Sequence, residues 1–280
     1  MTSEPTSSTA TDLARTATTV LFVPGDRPER FEKAAAAGAD LVIIDLEDAV
    51  PHDHKVAARG NVTEWVATGH HCAVRINAAD TGHFAGDLDA LTGLGAPIML
   101  AKAESADVVQ QVAEVSGSGV IALIETARGI LAAPEIAAVP GVVRLAVGTF
   151  DLAAQLGVDP TDHEALTASR GALVLASAAA GLAGPLDGVT AAVDDADRIA
   201  ADAAHARRLG FAGKLCIHPR QLAPTIAAFA PTDDEVAWAH RIMEAVEADE
   251  ETADGVIVVA GQMVDKPVID RAERILQRAT

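Results

Sequence analysis

The hydrophobic pattern of the chain repeats one unit: a short β-rich apolar run, a polar or glycine-containing turn, and an alanine-rich helical stretch. The apolar runs are continuous rather than alternating, which is typical of strands covered on both faces in a parallel sheet. The runs predict strands at Thr19–Pro24, Asp40–Glu47, Cys72–Asn77, Pro97–Lys102, Val120–Glu125, Val143–Gly148, Leu182–Asp187 and Gly213–His218.

Helical patterns separate these predicted strands. Two of them are followed by Gly38 and Gly210, which stand where a helix C-cap is expected. The helical stretches are Pro28–Ala37, Lys55–Val66, Ala85–Leu94, Ala106–Val115, Ala127–Val139, His163–Ala180 and Ala192–Leu209.

Eight βα units predict an α/β fold, a (β/α)₈ TIM barrel over residues 19–230. A doubly wound open sheet is the alternative, but the chain has no GxGxxG or GxxxxGK[ST] loop to support it. Residues 1–18 are rich in Ser and Thr and are interpreted as a flexible tail outside the fold. Residues 231–280 are interpreted as a C-terminal helical extension or lid. It carries helical patterns at Asp233–Ala248 and Val268–Ala279, which flank the segment GVIVVAGQMVDKP.

Charge and composition exclude some classes of partner. A formal net charge of −19 argues against binding nucleic acid or an anionic membrane, because phosphate binding needs a basic surface. A small anionic ligand in a local basic pocket is still possible. No apolar run approaches the ~20 residues of a membrane span and no signal-peptide pattern is present, so a cytoplasmic protein is expected. Cys72 and Cys216 lie inside apolar runs and are expected to be buried, reduced thiols.

Polar side chains recur where the predicted strands end. In the segment ALIETARG an apolar run ends on Glu125, a charge that costs several kcal/mol when it is buried without a partner. The carboxyl ends of all barrel strands meet at one face, so residues in this position would share a site. They are Gly25, Asp26, Arg27, Asp45, Glu47, Asp48, Arg75, Asn77, Lys102, Glu104, Glu125, Asp151, Asp187 and His218.

The carboxylates of this group would repel one another, and Arg75 and Lys102 are too few to neutralise them. The oxygen ligands, and the lack of a His/Cys cluster with zinc spacing, favour Mg²⁺. This ion takes one or two protein carboxylates and fills its other positions with water and substrate. Glu125 and Asp151, on neighbouring strands, fit that arrangement. The alternative is an ion pair of Glu125 with Arg128 or Arg75.

Structural roles compete with functional ones for the other charged strand-end residues. Asp45, Glu47 and Asp48 could cap the next helix through its free N–H groups. Arg75 could pair with Asp45 or Glu47, and Lys102 could be a solvated charge at a helix start.

Histidines carry weaker signals. His218 precedes a proline, as in a strand-to-helix turn with proline at the first helical position. The remaining histidines that attract notice lie in polar loops without matching partners and are given no functional role. They are His52, His54, His70 and His71.

Eight motifs then suggest a family: FVPGDRPERFEKA, VIIDLEDAVPHDHKVAAR, VRIN, AKAES, ALIETARGI, GTFDLAAQLG, CIHPRQ and GQMVDKPVI. In this order they resemble the citrate lyase β-subunit-like proteins of the HpcH/HpaI aldolase superfamily, from about Leu21 to Ile275. The resemblance implies a TIM barrel that binds Mg²⁺ and makes or breaks a carbon–carbon bond next to an acyl-CoA thioester. It also implies that Glu125 and Asp151 bind the metal and the substrate, and that Arg75 grips the small acid.

The resemblance assigns further catalytic residues. Asp45 and Glu47, with Asp48, correspond to the acidic group that orders Arg75 and the metal-bound waters. Asp265 corresponds to an acid/base residue that a neighbouring subunit supplies over the active site. The C-terminal extension would therefore complete the site of another protomer, and the protein would be a homo-oligomer, a trimer or a hexamer.

The resemblance also implies that Pro24, Arg27, Lys102 and His218 form the side of the cleft that binds CoA. The chain departs from its relatives in two places. It has LAK where they commonly have a proline before the lysine, and GTFDL lacks the acidic residue that many of them carry just before the aspartate. The second departure removes a negative charge beside the metal and leaves the substrate open.

The implied function is a Mg²⁺-dependent lyase that cleaves or forms a 3-hydroxyacyl-CoA thioester, such as malyl-CoA, citramalyl-CoA or 3-hydroxy-3-methylglutaryl-CoA. Its products or substrates would be an acyl-CoA and an oxo acid. One alternative is a citrate lyase β subunit that acts on an acyl-carrier-protein thioester within a complex. Others are a metal-dependent aldolase for free pyruvate-type substrates and a non-catalytic binding protein.

Overall fold

The computed structural model describes residues 9–248, 257–259 and 261–279. Eight parallel strands close into a barrel in chain order, and the last pairs with the first. The predicted TIM barrel is therefore confirmed and the open sheet is excluded. The strands are β1 (Thr19–Pro24), β2 (Leu41–Asp45), β3 (Ala73–Ile76), β4 (Ile98–Leu100), β5 (Val120–Ile124), β6 (Val142–Val147), β7 (Leu186–Asp187) and β8 (Gly213–Cys216).

Ten helices accompany the strands in the unit Met1–Phe229, counted over its described residues. They are α1 (Ala10–Thr16), α2 (Phe31–Ala35), α3 (Lys55–Ala67), α4 (Phe84–Leu91), α5 (Ala106–Ser116), α6 (Ala127–Ala137), α7 (Thr149–Leu156), α8 (His163–Ala179), α9 (Ala196–Leu209) and α10 (Leu222–Phe229). The sequence pattern did not predict α7 or α10. It also placed the start of α9 too early, at Ala192. The helix begins at Ala196, because the side chain of Asp195 accepts the Arg198 N–H and caps it.

Two apolar layers explain why the strand runs are continuous. One face of each strand packs under the surrounding helices, while the other fills the barrel interior with residues such as Ile43, Met99 and Ile121. Strands covered on both faces have no polar side to display. Cys72 and Cys216 are buried free thiols in these layers, and burial raises their pKa to about 12 and about 11.

The interpretation of residues 1–18 as a tail outside the fold is wrong for the part that the structure describes. Thr9 and Asp12 form a capping box at the start of α1, and Ala14 is fully buried against the barrel interior. The guanidinium of Arg144 donates to the carbonyl oxygens of Arg15 and Ala17, at 2.7 and 3.1 Å. A seven-residue helix is too short to persist alone, so these contacts hold it. Residues 1–8 lie outside the described residues.

The second compact unit is Ala230–Thr280, within one residue of the predicted boundary. It contains α11 (Asp233–Ala248), a two-stranded antiparallel hairpin of β9 (Ile257–Val259) and β10 (Gln262–Val264), and α12 (Lys266–Ala279). In the segment GVIVVAGQMVDKP, the described residues 257–259 and 262–264 thus form the hairpin strands, and Gly261 before β10 has a φ of +80°. In both units, none of the described helices is long and apolar enough to cross a membrane.

Candidate active site

The carboxyl ends of the strands surround a cavity of about 320 Å³. Charged residues from four different strand ends line it, together with apolar side chains from β1, β5, β6 and β8 and from the segments after β6, β7 and β8. The lining is Phe22, Asp45, Asp48, Ala49, Arg75, Leu123, Glu125, Val147, Gly148, Thr149, Phe150, Asp151, Val189, Leu215 and Ile217. Residues far apart in sequence therefore share one site, as their strand-end positions predicted.

Arg75, at the end of β3, is clamped by acidic groups that follow β2. Its Nε and Nη2 donate to the two carboxylate oxygens of Asp45, at 2.7 and 2.6 Å. Its Nη1 lies 3.0 Å from Glu47 Oε2 and 3.8 Å from Asp48 Oδ2. Burial opposes the charge, but Asp45 and Glu47 still raise the pKa of Arg75 above its usual range. The guanidinium also stacks over the Phe22 ring, 4.7 Å from its centroid. Arg75 is therefore a fixed positive charge in the cavity wall.

Asp45 combines this ion pair with a structural role. Its side chain, which is fully buried, accepts the backbone N–H groups of Glu47 at 2.8 Å and Ala49 at 3.0 Å. These bonds shape the turn that carries Glu47 towards Arg75. The ion-pairing alternative therefore holds for Asp45, whereas the helix-capping alternative does not, because Glu47 and Ala49 lie in a turn before the next helix. The turn and the Arg75 clamp are one network.

Glu125, which follows β5, is 4% exposed. The described residues give its carboxylate one hydrogen bond, from the Lys102 backbone N–H at 2.9 Å. Burial, reinforced by the charge of Glu47, raises the pKa of Glu125 to about 7, although Lys102 and Arg75 act in the opposite direction. Arg128, one alternative partner, is 78% exposed and lies 4.0 Å from Glu104 instead. Glu125 is therefore a carboxylate that lacks a direct counter-ion among the described side chains.

Lys102 lies deeper in the site than its assignment to the CoA side suggested. Its ammonium bridges Glu47 Oε1 at 2.8 Å and Asp151 Oδ2 at 3.2 Å, and these carboxylates, with Glu125, raise its pKa despite partial burial. Its φ of +48° is the only positive φ among the non-glycine residues that the structure describes. This strained backbone aims the N–H at Glu125 while the side chain reaches Asp151. It is not a solvated charge.

Asp151 stands in the first turn of α7, which begins directly after Gly148. Its side chain is 41% exposed and lines the same cavity as Glu125. The helix that the sequence pattern missed is therefore the element that presents this carboxylate. Its position in the first turn is electrostatically favourable for a negative charge.

Gly148 allows β6 to approach β5 closely enough to place both carboxylates in one cavity. A Cβ on Gly148 would lie 2.5 Å from the Glu125 Cβ. We expect Gly148→Ala to displace Glu125 and to lower the free energy of unfolding by roughly 1–3 kcal/mol in urea titrations. Gly171→Ala on α8 is the matched control, because its Cβ would meet nothing within 4 Å. It should be neutral or stabilise by roughly 0.5–1 kcal/mol. Equal stability of the two variants would contradict this account.

The donor set suits a hard cation. It consists of carboxylate oxygens, one buried with a pKa of about 7 and one partly exposed. The described residues hold no cluster of three or more His, Cys, Asp or Glu side chains placed to bind a metal. An ion that needs only one or two protein carboxylates and takes its other ligands from water and substrate, as Mg²⁺ does, fits this pair of carboxylates.

Like Lys102, the other residues assigned to the CoA side are not part of the cavity lining. Pro24 ends β1, and Arg27 is exposed 4.0 Å from Asp26. His218 Nδ1 accepts the Arg220 N–H at 3.1 Å at the start of a 3₁₀ turn, so the strand-to-helix alternative holds for it. Their role in CoA binding stays a prediction.

Two strand-end residues belong to structural networks. Asn77 donates to Asp87 at 2.6 Å, and Asp187 is buried between Arg170 and Lys214. Of the four histidines given no role, His54 lies 2.9 Å from Asp26 and His52 3.0 Å from His83. His70 stacks on Trp65.

The apolar half of the cavity was missed by the sequence analysis. Phe22, Phe150 and Val189 line it, and none carries a polar signal. For Phe22, the signal that could have placed it in the cavity was the alternation of inward-facing and outward-facing residues along β1.

Asp265, in the second unit, precedes α12, and its backbone carbonyl accepts the N–H groups of Val268 and Ile269 at 3.0 and 3.1 Å. The Asp265 side chain accepts the Val268 N–H weakly, at 3.4 Å. This is a helix-cap geometry. Its assignment to a neighbouring active site stays a prediction.

Comparison with known proteins places these features in context. The chain matches the family model HpcH/HpaI aldolase/citrate lyase over residues 18–219. It is 41% identical to a citrate lyase subunit beta-like protein of Mycobacterium tuberculosis, over 92% of this chain and 94% of that protein. It is 38% identical to a (3S)-malyl-CoA thioesterase of Cereibacter sphaeroides, over 93% of each. The crystal structure of CitE from M. tuberculosis, in complex with magnesium, acetoacetate and coenzyme A, is 39% identical with a TM-score of 0.83. It covers 94% of this chain and 98% of that one.

Proposed function

Because the chain belongs to the HpcH/HpaI aldolase/citrate lyase family, we propose that it is a magnesium-dependent lyase acting on a 3-hydroxyacyl-CoA thioester. It would cleave the thioester into an acyl-CoA and an oxo acid, or form it from them. The prediction that the chain belongs to this family and the prediction that it is a lyase-type enzyme are both confirmed. The proposed reaction is supported by one observation above all. Glu125, buried without a direct counter-ion among the described side chains, shares a cavity with Asp151 and the fixed charge of Arg75.

Glu125 and Asp151 would hold the magnesium ion. The solved CitE relative contains magnesium, and the donor set here fits it. When bound, magnesium would polarise the carbonyl oxygen of the oxo acid and offset the charge that develops there. Lys102 now pairs with Asp151 at 3.2 Å, so its ammonium would keep Glu47 as a partner while Asp151 serves the metal.

Arg75 would bind the carboxylate of the oxo acid. Its guanidinium has five N–H groups, and three contact Asp45 and Glu47. Arg75 lines the cavity, and the N–H groups on Nη1 and Nη2 that these contacts do not use would meet the acid there. Since Asp45 and Glu47 already fix the plane of the guanidinium, the acid would meet a preorganised charge at little entropic cost.

The proton transfers would need a group that is not metal-bound. In cleavage, a base takes the hydroxyl proton of the substrate as the carbon–carbon bond breaks, and the thioester enolate that leaves must then be protonated. We assign this acid/base role to Asp265, acting across a subunit boundary of a homo-oligomer. Three other carboxylates of the site are engaged: Asp45 and Glu47 by Arg75, and Asp151 by the proposed metal.

The raised pKa of Glu125 predicts that magnesium binds more tightly as the pH rises. Mg²⁺ binds the carboxylate and not the acid, and with a pKa of about 7 the ionised fraction rises about tenfold between pH 6 and 8. Calorimetric titrations across this range should show that increase. The metal-free fold should behave oppositely: because its pKa lies above the ordinary 4.5, ionising Glu125 costs stability as the pH rises through about 7. A flat magnesium profile would contradict the assignment.

Substitution of Arg75 by Lys should weaken binding of the oxo acid. Lysine offers a point charge in place of a planar fork and leaves part of the Asp45 and Glu47 carboxylates unpaired. We expect the KM for the oxo acid, measured in the condensing direction, to rise roughly 10–100-fold. Arg128→Lys is the control, since Arg128 is 78% exposed and outside the cavity lining. An unchanged KM in Arg75→Lys would remove the proposed role.

The reaction itself is tested with a panel of 3-hydroxyacyl-CoA thioesters, including malyl-CoA, citramalyl-CoA and 3-hydroxy-3-methylglutaryl-CoA, with and without Mg²⁺. Lyase chemistry leaves the thioester intact and releases an acyl-CoA and an oxo acid. Release of free CoA thiol would instead favour hydrolysis, the second candidate, which the name of the C. sphaeroides relative suggests. Activity confined to acyl-carrier-protein thioesters or to free oxo acids would favour the remaining alternatives. Turnover without Mg²⁺ would contradict the proposal.

A further inference from the structure

A second cavity, of about 340 Å³, adjoins the active-site cavity. The two share Thr149, Phe150 and Val189 as a dividing wall. None of the residues assigned to the reaction lines the second cavity. It is instead bordered by α8, by the loop after β7 and by the start of α9. Any ligand there would be a feature separate from the proposed metal site.

Two buried cations in this region share one buried carboxylate. Arg170, which is 4% exposed, donates through Nε to Asp187 Oδ1 at 2.8 Å. Lys214, 2% exposed, lies 3.2 Å from Asp187 Oδ2 and donates to the Gly188 carbonyl oxygen at 2.5 Å. Although burial opposes it, Lys214 and Arg170 hold the pKa of Asp187 below its usual value. A single carboxylate therefore serves two positive charges, and both cations line the cavity.

Arg170 also has an unused donor. Its Nη1 is buried and has no hydrogen-bond partner among the described residues. Guanidinium N–H groups buried without a partner cost free energy, and they are rare in folded proteins. Arg170 also lines the cavity, so its guanidinium borders a space large enough for a small acceptor.

A histidine pair adds two more unpartnered nitrogens beside it. The rings of His163 and His205 stack at 4.0 Å. His163 Nε2 lies 3.1 Å from Asp202 Oδ1, but His163 Nδ1 and His205 Nε2 are buried without partners within the described chain. His163 lines the cavity itself. Two residues of the cavity lining, Arg170 and His163, thus each carry a buried nitrogen that has no partner among the described residues.

The acidic residues of the cavity lining do not supply acceptors for these unsatisfied nitrogens. Asp202 is engaged by Arg198 at 2.9 Å, by His163 and by the Thr190 hydroxyl at 2.8 Å. Asp195 is exposed and caps α9 through the Arg198 N–H. The lining carboxylates are thus already paired or solvated, whereas the unsatisfied groups of the wall include the N–H donors of a buried cation.

We propose that this second cavity is a binding site for a small oxyanion, a carboxylate or phosphate group, held by the Arg170 guanidinium with His163 at its edge. The planar guanidinium is suited to both groups. The anion would also offset the excess positive charge of Arg170 and Lys214 over Asp187. Its binding would not require the residues assigned to the lyase reaction, because none of them lines the cavity.

The test is calorimetric titration of the full-length, magnesium-loaded protein with inorganic phosphate and with succinate, at constant ionic strength in chloride. We expect one of them to bind one to one with a Kd of about 1 mM or tighter. Arg170→Met should weaken that binding at least tenfold. Arg208→Met, an exposed position on α9 outside the lining, is the matched control and should bind as the unmodified protein does.

Ala192→Phe keeps the test decisive if Arg170→Met fails to fold. It fills the cavity that Ala192 lines without changing a charge, and should abolish anion binding. Competition by coenzyme A would identify the phosphate groups of the coenzyme as the source, and its absence would indicate a free acid. If titration with phosphate and with succinate released no more heat than titration with chloride alone, the proposal would be overturned. Equal affinities in the unmodified protein and both cavity variants would overturn it too.

Discussion

Replacement of Glu125 by Gln should reduce magnesium affinity roughly 100-fold or more and abolish metal-dependent turnover. The amide is nearly isosteric and can still accept the Lys102 N–H, which lies 2.9 Å from Glu125 Oε1, so the fold should persist. What is lost is the negative charge that a hard cation requires. Because ionised Glu125 is unfavourable in the metal-free protein, with a pKa of about 7, the variant should be at least as stable at pH 8. Titration calorimetry and thermal unfolding measure the two effects separately.

Glu104→Gln is the matched control for this experiment. Glu104 also follows a strand end, but its side chain is 38% exposed and does not line the active-site cavity. It should bind magnesium and turn over normally. If Glu125→Gln bound magnesium with unchanged affinity, Glu125 would not be a ligand. If it failed to bind magnesium but kept its turnover, the reaction would not depend on the metal.

The barrel was predictable because burial on both faces leaves a simple trace in the sequence. Continuous apolar runs gave all eight strands, although β7 shrinks to Leu186–Asp187. The preceding Gly184 approaches the Gly210 carbonyl so closely that a Cβ would not fit, and Pro185 lacks an N–H for a strand ladder. Helix α1 was not predictable in the same way. Its stability comes from the Arg144 guanidinium and from burial of Ala14, contacts that only the closed barrel provides.

The sequence allowed us to predict which residues share the site, but not which of them contact one another. Strand-end position alone brought Asp45, Arg75, Glu125 and Asp151 together, because parallel strands end at one face. Which side chains pair with each other depends on their length and on the local backbone conformation. The spacing of residues along the sequence does not determine either. The left-handed backbone of Lys102, at a φ of +48°, is the example: it makes this residue the link between Glu125 and Asp151 where the sequence suggested a peripheral charge.

Asp265→Asn separates an acid/base role from a structural one. Asn is as good a helix N-cap as Asp, so the cap that Asp265 provides for α12 should survive. The acid/base function should not, because the amide does not exchange a proton in this pH range. We expect turnover to fall roughly 10²–10⁴-fold, while the affinities for Mg²⁺ and the oxo acid stay unchanged. Asp270→Asn, on the same helix and paired with Lys266 at 2.8 Å, should keep full turnover.

Mixing the two inactive variants tests whether Asp265 acts across a subunit boundary. Protomers of Glu125→Gln carry an intact Asp265, and protomers of Asp265→Asn carry an intact Glu125. In mixed oligomers, some sites would combine the functional Glu125 of one chain with the functional Asp265 of the next, and turnover should return to a measurable fraction of the unmodified level. Sites built from one chain would stay silent in every mixture. Persistent silence after confirmed subunit exchange would place Asp265 in the site of its own protomer, and normal turnover of Asp265→Asn alone would remove it from the reaction.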